Sequence, residues 1–357
     1  MKILVISLAG IGDTLIATPL LHELRQQYPD AVLDVLVFWP GARDLLQGNP
    51  WINTVHQRNL VAAGPLGAVR YLLGLRRLGY DLSLNTHPQS KLHYRVAAWL
   101  VGARLRLSHA YDNSTLLDRW LVHRLLPQDY SVHSIENNLR LLSLVGRQPC
   151  LPEHDFELFL NAEEQAEARR LAEAHGLTDK PVLGLHIGSG TTKNLTLKRW
   201  PLEHWAELIR RVREEHPQVR LLLFGGPDER AETEALLRQT GSAQIVQPAT
   251  RTIRVAAALL PFCRVFVSVD NALMHLAAAM KVPRQIVIES PTFGPTLAPY
   301  RRPFILVENP AVHGRNLDYY RYDGRGIRGS AAELRRCMAA VRPAAVCAAI
   351  RDALATP

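Results

Sequence analysis

The chain has 357 residues, 47% of them hydrophobic and 21% charged, with a formal net charge of +9. That length exceeds one small core and predicts two domains. No apolar run reaches the ~18 residues a bilayer crossing needs, and the four scattered cysteines form no CxxC pair. A membrane span, a disulfide framework and a zinc site are therefore not expected.

The apolar start, Met1 to Leu8, lacks a small-residue cleavage site and reads as a first strand of a cytoplasmic protein. Ile3–Ser7 is that strand. The turn Ala9-Gly10-Ile11-Gly12-Asp13 follows, then a helix with Leu15, Ile16, Pro19, Leu20 and Leu24 near helical spacing, ending around Tyr28-Pro29. A dinucleotide fingerprint needs glycine where Leu15 stands, and Asp13 would repel a pyrophosphate, so a dehydrogenase is disfavoured. Asp13 reads either as a helix cap or as a general base whose ionised form the helix N-terminus favours.

Leu33–Phe38 and Asp81–Asn85 are the next strands, and Leu92–Leu100 is a helix. From Arg58 to Arg124 ten Lys/Arg face three Asp, so this stretch alone carries +7. Such a field suits phosphorylated sugars or acidic headgroups, or merely solubilises the surface. Nucleic acid is not expected as a partner, because no helix-turn-helix, zinc-finger or RNP signature accompanies the charge. Asn161 and Glu164 form a capping box for a helix to His175, stopped by Gly176, and the domains part between about 150 and 180.

Strands at Val182–Leu185, Val219–Phe224, Val265–Val269 and Gln285–Glu289 alternate with helices at Leu202–Glu215, Glu229–Gln239, Thr252–Leu260 and Ala272–Met280. This is the pattern of a doubly wound α/β sheet. The first of these strands opens into His186, Gly188, Ser189, Gly190, Thr191 and Thr192, then Lys193, Lys198 and Arg199. Glycines let backbone N–H groups curl around an anion, so this is either a phosphate cradle or a plain surface turn.

Phe224-Gly225-Gly226-Pro227-Asp228-Glu229 offers carboxylates to ribose hydroxyls, or a turn and cap. In Ser268-Val269-Asp270-Asn271-Ala272 a second helix N-terminus faces the crevice, with Asp270 as its cap and His275 either a ligand or a core residue. The loop Pro291–Pro295 closes the pocket or simply connects. No DxD pair offers a metal site. Ser330 with Glu333 caps a further helix, and Pro343 separates the last two.

Taken together, KILVISLAGIGDTLIATPLLHELRQQYPDAVLDVLV, HIGSG, KRWPLEHWAELI, FGGPDER, SVDNALMHLAAA and RRCMAAVRPAAV resemble the heptosyltransferase family of bacterial glycosyltransferases. The resemblance covers both halves. It implies a GT-B fold, two Rossmann-like parallel-sheet domains facing a cleft. The acceptor domain would span 1–165 and the nucleotide-sugar domain 178–330, with helices 331–357 returning to the first. It implies inverting, metal-independent transfer of heptose from ADP-heptose to a lipopolysaccharide inner-core hydroxyl, with no cofactor, at the inner face of the inner membrane with peripheral contact possible there.

Carried over residue by residue, Asp13 takes the general-base position and Lys198 the place of a lysine stabilising the diphosphate. Gly188, Ser189, Gly190, Thr191, Thr192, Glu229, Asp270, Asn271, Ala272 and His275 match donor-binding positions. Gly12, Lys91, Arg95 and Arg119 are the acceptor-binding candidates. The chain departs where Asn271-Ala272 replaces Thr-Gly, where Thr191–Asn194 lengthens the loop, and where Glu289-Ser290 replaces Phe-Gly. All three lie on the donor side, so the reaction class carries over further than the donor. Two other readings stay open: the same chemistry with another donor or a protein or natural-product acceptor, and a catalytically silent nucleotide-sugar-binding protein.

Overall fold

The computed structural model describes residues 1–191, 194–241 and 245–355. The chain divides into two compact units, Met1–Phe159 with Arg321–Arg325, and Leu160–Tyr320 with Gly326–Pro357.

The first unit runs β1 (Lys2–Ser7), α1 (Ile11–Ile16), α2 (Thr18–Gln27), β2 (Val32–Val37), α3 (Pro40–Leu46), β3 (Thr54–Gln57), α4 (Gly64–Arg76), β4 (Leu82–Asn85), α5 (Leu92–Val101), β5 (Leu105–Ala110), α6 (Leu116–Leu121), β6 (Arg124–Pro127) and α7 (Ser134–Arg140). The strands pair in parallel in the order β3-β2-β1-β4-β5-β6. Helices cover both faces, which is why Ile3 to Ile6 is an unbroken apolar run. Leu20, Leu21 and Leu24 pack on Ile3, Val5 and Val35 on one side. Leu72, Leu75, Tyr94 and Ala98 pack on Leu4 and Ile6 on the other.

The single helix expected after the first turn is two. Pro19 has no N–H to give the Leu15 carbonyl, which instead accepts from the Thr18 hydroxyl at 2.7 Å.

The second unit runs α8 (Ala162–Ala174), β7 (Val182–His186), α9 (Leu202–Glu215), β8 (Arg220–Phe224), α10 (Arg230–Thr240), β9 (Ile245–Val246), α11 (Ile253–Leu259), β10 (Val265–Ser268), α12 (Ala272–Ala279), β11 (Arg284–Ile288), β12 (Phe304–Val307), α13 (Asn316–Tyr319), α14 (Ala331–Ala339) and α15 (Pro343–Ala355). Its strands are also parallel, in the order β12-β11-β10-β7-β8-β9. Amphipathic α9 buries Trp205, Leu208, Ile209 and Val212 against that sheet.

Two expectations about domain membership change. A first-domain boundary at 165 would cut helix α8, which belongs whole to the second unit, where Glu164 pairs with Arg254 of α11 at 2.5 Å. The last two helices were expected against the first domain. They instead complete the second core, where Met338, Val341, Val346 and Ile350 join Leu183, Leu221 and Ile286. The Trp200 indole N–H donates to the Val341 carbonyl at 2.9 Å. A helix with apolar residues at 346, 350 and 353 needs a face to cover, and α9 with β11 and β12 supplies it. The segment that rejoins the first unit is Arg321–Arg325, whose Tyr322 ring lies 4.3 Å from His87 and 5.6 Å from Tyr130.

Candidate functional site

In each sheet the strand order reverses once, between β1 and β4 in the first and between β7 and β10 in the second. The carboxyl ends of the strands at such a reversal splay apart into a crevice, the usual ligand position in open α/β sheets. Asp13 follows β1; Gly188 follows β7; Asp270 and Asn271 follow β10. These sequence candidates therefore sit at the two reversal points.

Asp13 is the third residue of α1, and its Oδ2 accepts from the Gly10 N–H at 2.6 Å. It is half-buried, so one side chain closes the helix end and still meets solvent. Burial, and then the Asp13 charge, push the Tyr94 hydroxyl up to about 12. Tyr111 rises for the same reasons, burial first.

The acceptor candidates separate. Gly12 is buried in α1, Lys91 begins α5, and Arg119 is exposed on α6, where it lines a 610 Å³ groove with Ser114, Thr115 and Leu116. Arg95 does not stand open to an acceptor: it is wholly buried, 3.0 Å from Asp118, and donates to the Gln89 and His109 carbonyls at 2.7 and 3.1 Å. It fastens α5 to the loop after β4 and to β5. The sequence reading passed over His87 in that loop. Its ring is fully buried, and neither nitrogen has a hydrogen-bond partner among the described residues. Burial and the nearby His109 hold its pKa well below the ordinary imidazole value, so it is neutral.

The second crevice is held by one buried knot. Lys198 Nζ donates to the Asp270 carbonyl at 2.5 Å, to Asp270 Oδ2 at 2.7 Å and to Thr292 Oγ1 at 3.0 Å. The Thr292 hydroxyl donates to Asp270 Oδ2 at 2.6 Å, and the Ser290 hydroxyl donates to Oδ1. Three loops, after β7, β10 and β11, are thereby tied together. An ammonium has three donors and all are engaged, so Lys198, expected to stabilise a diphosphate, here holds Asp270 and Thr292. Asp270 is not the cap either. Asn271 is, accepting from the Met274 N–H at 3.1 Å while its amide donates to the Gly188 carbonyl at 3.1 Å across the crevice. Two departures from the family pattern, Asn271 and Ser290, are thus structural members of the site.

Arg199 is similarly engaged, 2.5 Å from Glu232, 3.4 Å from Glu229, and donating to the Ser189 hydroxyl and carbonyl. Glu229 accepts from the Gly226 N–H at 2.8 Å, and a Cβ on Gly188 would stand 2.5 Å from its carboxyl group. Glycine at 188 is what lets Glu229 fit beneath the loop. Burial pushes the Glu229 carboxyl up despite the Gly226 bond. His275 is a buried α12 residue, taken down to about 3 by burial and by Lys198, and burial takes His186 down to about 4. Ser189 donates to the Leu195 carbonyl at 2.8 Å. Gly190 and Thr191 are exposed, Ala272 opens α12, and Thr192 and Lys193 lie outside the described residues. With Lys198 and Arg199 both paired to carboxylates, an anion here would meet backbone N–H groups of the glycine loop and the N-terminus of α12, with the lysine behind them.

The sequence pattern of glycosyltransferase family 9 (heptosyltransferase) matches residues 70–304. The chain is 26% identical over 279 residues to lipopolysaccharide heptosyltransferase 3 of Escherichia coli K12, covering 76% of this chain and 78% of that one. A family 9 glycosyl transferase from Veillonella parvula superposes with a TM-score of 0.77 at 19% identity, covering 99% and 97% of the two chains. Escherichia coli heptosyltransferase WaaC with ADP superposes with a TM-score of 0.67 at 18% identity, covering 99% and 100%. The fold is therefore the GT-B type, two Rossmann-like parallel-sheet domains.

Proposed function

The chain belongs to glycosyltransferase family 9, the heptosyltransferase family, and on that premise we propose that this enzyme moves a heptose from ADP-heptose to a hydroxyl of a lipopolysaccharide inner-core acceptor, at the cytoplasmic face of the inner membrane. The observation that carries the donor half is the knot of Lys198, Asp270, Ser290 and Thr292 beside Asn271 and Gly188. It fixes the N-terminus of an eight-residue helix and a glycine loop on either side of one crevice. The ADP in the similar WaaC structure supports a nucleoside diphosphate as the ligand for that arrangement.

In this reading the acceptor hydroxyl attacks the anomeric carbon from the face opposite the diphosphate, inverting the centre. Asp13 accepts the hydroxyl proton as the new C–O bond forms. The C–O bond to the β-phosphate breaks, and its electron pair stays on the departing ADP. Backbone N–H groups, the α12 dipole and the Lys198 charge stabilise the oxygen that becomes negative. Lys198 works mainly as a positioning residue, holding the α12 entrance through Asp270. No metal has a place in this scheme, and transfer should proceed undiminished in EDTA.

Thermal-shift screening against ADP-, UDP-, GDP- and dTDP-sugars tests the donor: stabilisation by ADP-sugars alone supports the reading, and equal stabilisation by UDP-sugars overturns it. A second donor sugar on the same chemistry is favoured by Asn271-Ala272 in place of Thr-Gly. Product mass from cell extract and each donor separates the two.

A further inference from the structure

Apart from the acceptor candidate Arg119, neither the transfer chemistry nor the packing of the first unit makes use of the outer surface of α4, α5 and α6. All three connections run from β3 toward β6, so right-handed crossovers put these helices on one face of the sheet. Helix α4 buries Leu72 and Leu75, yet its Leu66, Val69 and Leu73, spaced to share one side, are exposed. On the neighbouring helices Trp99 and Trp120 stand with ring centroids 5.6 Å apart, and Trp120 and Leu116 are 65% and 80% exposed. Of the exposed large apolar side chains among the described residues, only Leu317 belongs to the second unit.

The charge of the same stretch is one-sided. Arg95 and Asp118 neutralise each other in the core. The two remaining carboxylates, Asp81 and Asp112, pair with Arg104 and Arg321. Arg70, Arg77 and Arg119 stay exposed around the apolar side chains. Tryptophans amid uncompensated arginines suit the headgroup level of an anionic bilayer, where the rings enter the interface and the guanidinium groups meet phosphate. Tryptophan and arginine are also enriched at protein interfaces, and flotation with anionic vesicles separates that occupant from a membrane.

We propose that the α4–α6 face adsorbs this enzyme onto anionic phospholipid membranes. It extends the reading of a lipid-linked acceptor, and its test scores adsorption alone. Failed adsorption would leave the sugar chemistry standing, and failed transfer would leave the adsorption.

The full chain is floated with vesicles of phosphatidylcholine, or of phosphatidylcholine with phosphatidylglycerol, at low and high salt. We expect flotation with the anionic vesicles only, weakened by salt. Arg70→Gln with Arg77→Gln should weaken it about fivefold for each arginine removed. Trp99→Ala with Trp120→Ala should weaken it too, with circular dichroism and transfer to a lipid-free acceptor fragment unchanged. No flotation with anionic vesicles, or flotation untouched by both double variants, overturns the proposal. So does a dimer in solution that the tryptophan variant dissociates, since a second copy would then be the occupant.

Discussion

Replacing Lys198 by methionine keeps most of its length and removes the ammonium. Lys198 and Asp270 side chains are 6% and 2% exposed, with Nζ 2.7 Å from Oδ2. The change strands a buried carboxylate with only the Ser290 and Thr292 hydroxyls to solvate it. Breaking a buried pair from one side costs about 3–5 kcal/mol, and we expect a loss near the lower figure, ~3 kcal/mol, because those two hydroxyls remain. Asp270→Asn should restore part of it, so a double-mutant cycle should give ~2 kcal/mol of coupling. Urea unfolding, with hydrogen exchange at the α12 amides to assign the loss to the second unit, measures this. Donor affinity and stability should fall together. A Lys198→Met enzyme of unchanged stability that no longer binds donor would refute the reasoning, since the ammonium would then serve ligand and not Asp270.

Asp13→Asn keeps an oxygen for the Gly10 N–H and removes the base, so kcat should fall by about 10²–10⁴ while donor binding in a thermal-shift titration stays intact. Gly188→Ala drives a methyl into the Glu229 carboxyl group, and steady-state kinetics should show donor kcat/KM reduced about tenfold to hundredfold. Burial works against ionised Glu23, but N–H groups of Leu151 and Cys150, with His154 and Gln27, lower it from 4.5 to about 2. A depressed carboxyl contributes stability above its unfolded value that is lost as pH falls from about 4.5 toward 2; Glu23→Gln should cost at most ~3 kcal/mol at neutral pH and flatten that acid limb in urea titrations. His186 and His275, lowered to about 4 and about 3, are neutral when folded. The unfolded chain binds their protons first, so stability should already decline below about pH 6.5, and His275→Asn should reduce that slope.

Buried parallel strands announce themselves, because both faces must be apolar: Ile3–Ile6, Val182–Leu185 and Val265–Val267 could be read directly. Edge strands could not. The four-residue β3 and β6 and the two-residue β9 have one neighbour each and carry little patterning. The capping box at Asn161 and the N-cap at Ser330 mark helix starts because that signal is local. Which core a helix joins is a long-range matter, and local pattern does not reveal that α14 and α15 pack in the second unit. The site shows the same division. Loop order and glycines pointed to Asp13, Gly188 and Asp270, but residues 72 apart had to meet before Lys198 was seen to be engaged. Asp and Asn adjacent at a helix start are near-equivalent caps from sequence, and only the Lys198 ammonium decides that Asn271 takes the role.

The sharing of distant chain segments bears on how the polypeptide matures during translation. Tyr322 must leave the ribosome before the aromatic cluster around His87 can close, although the rest of that unit is made by Phe159. The second sheet waits longer, since Ile350 and Ala353 wall its core. Nascent chains stalled short of those residues would therefore expose an open apolar sheet face to chaperones, and vectorial synthesis offers this protein no early, finished N-terminal domain.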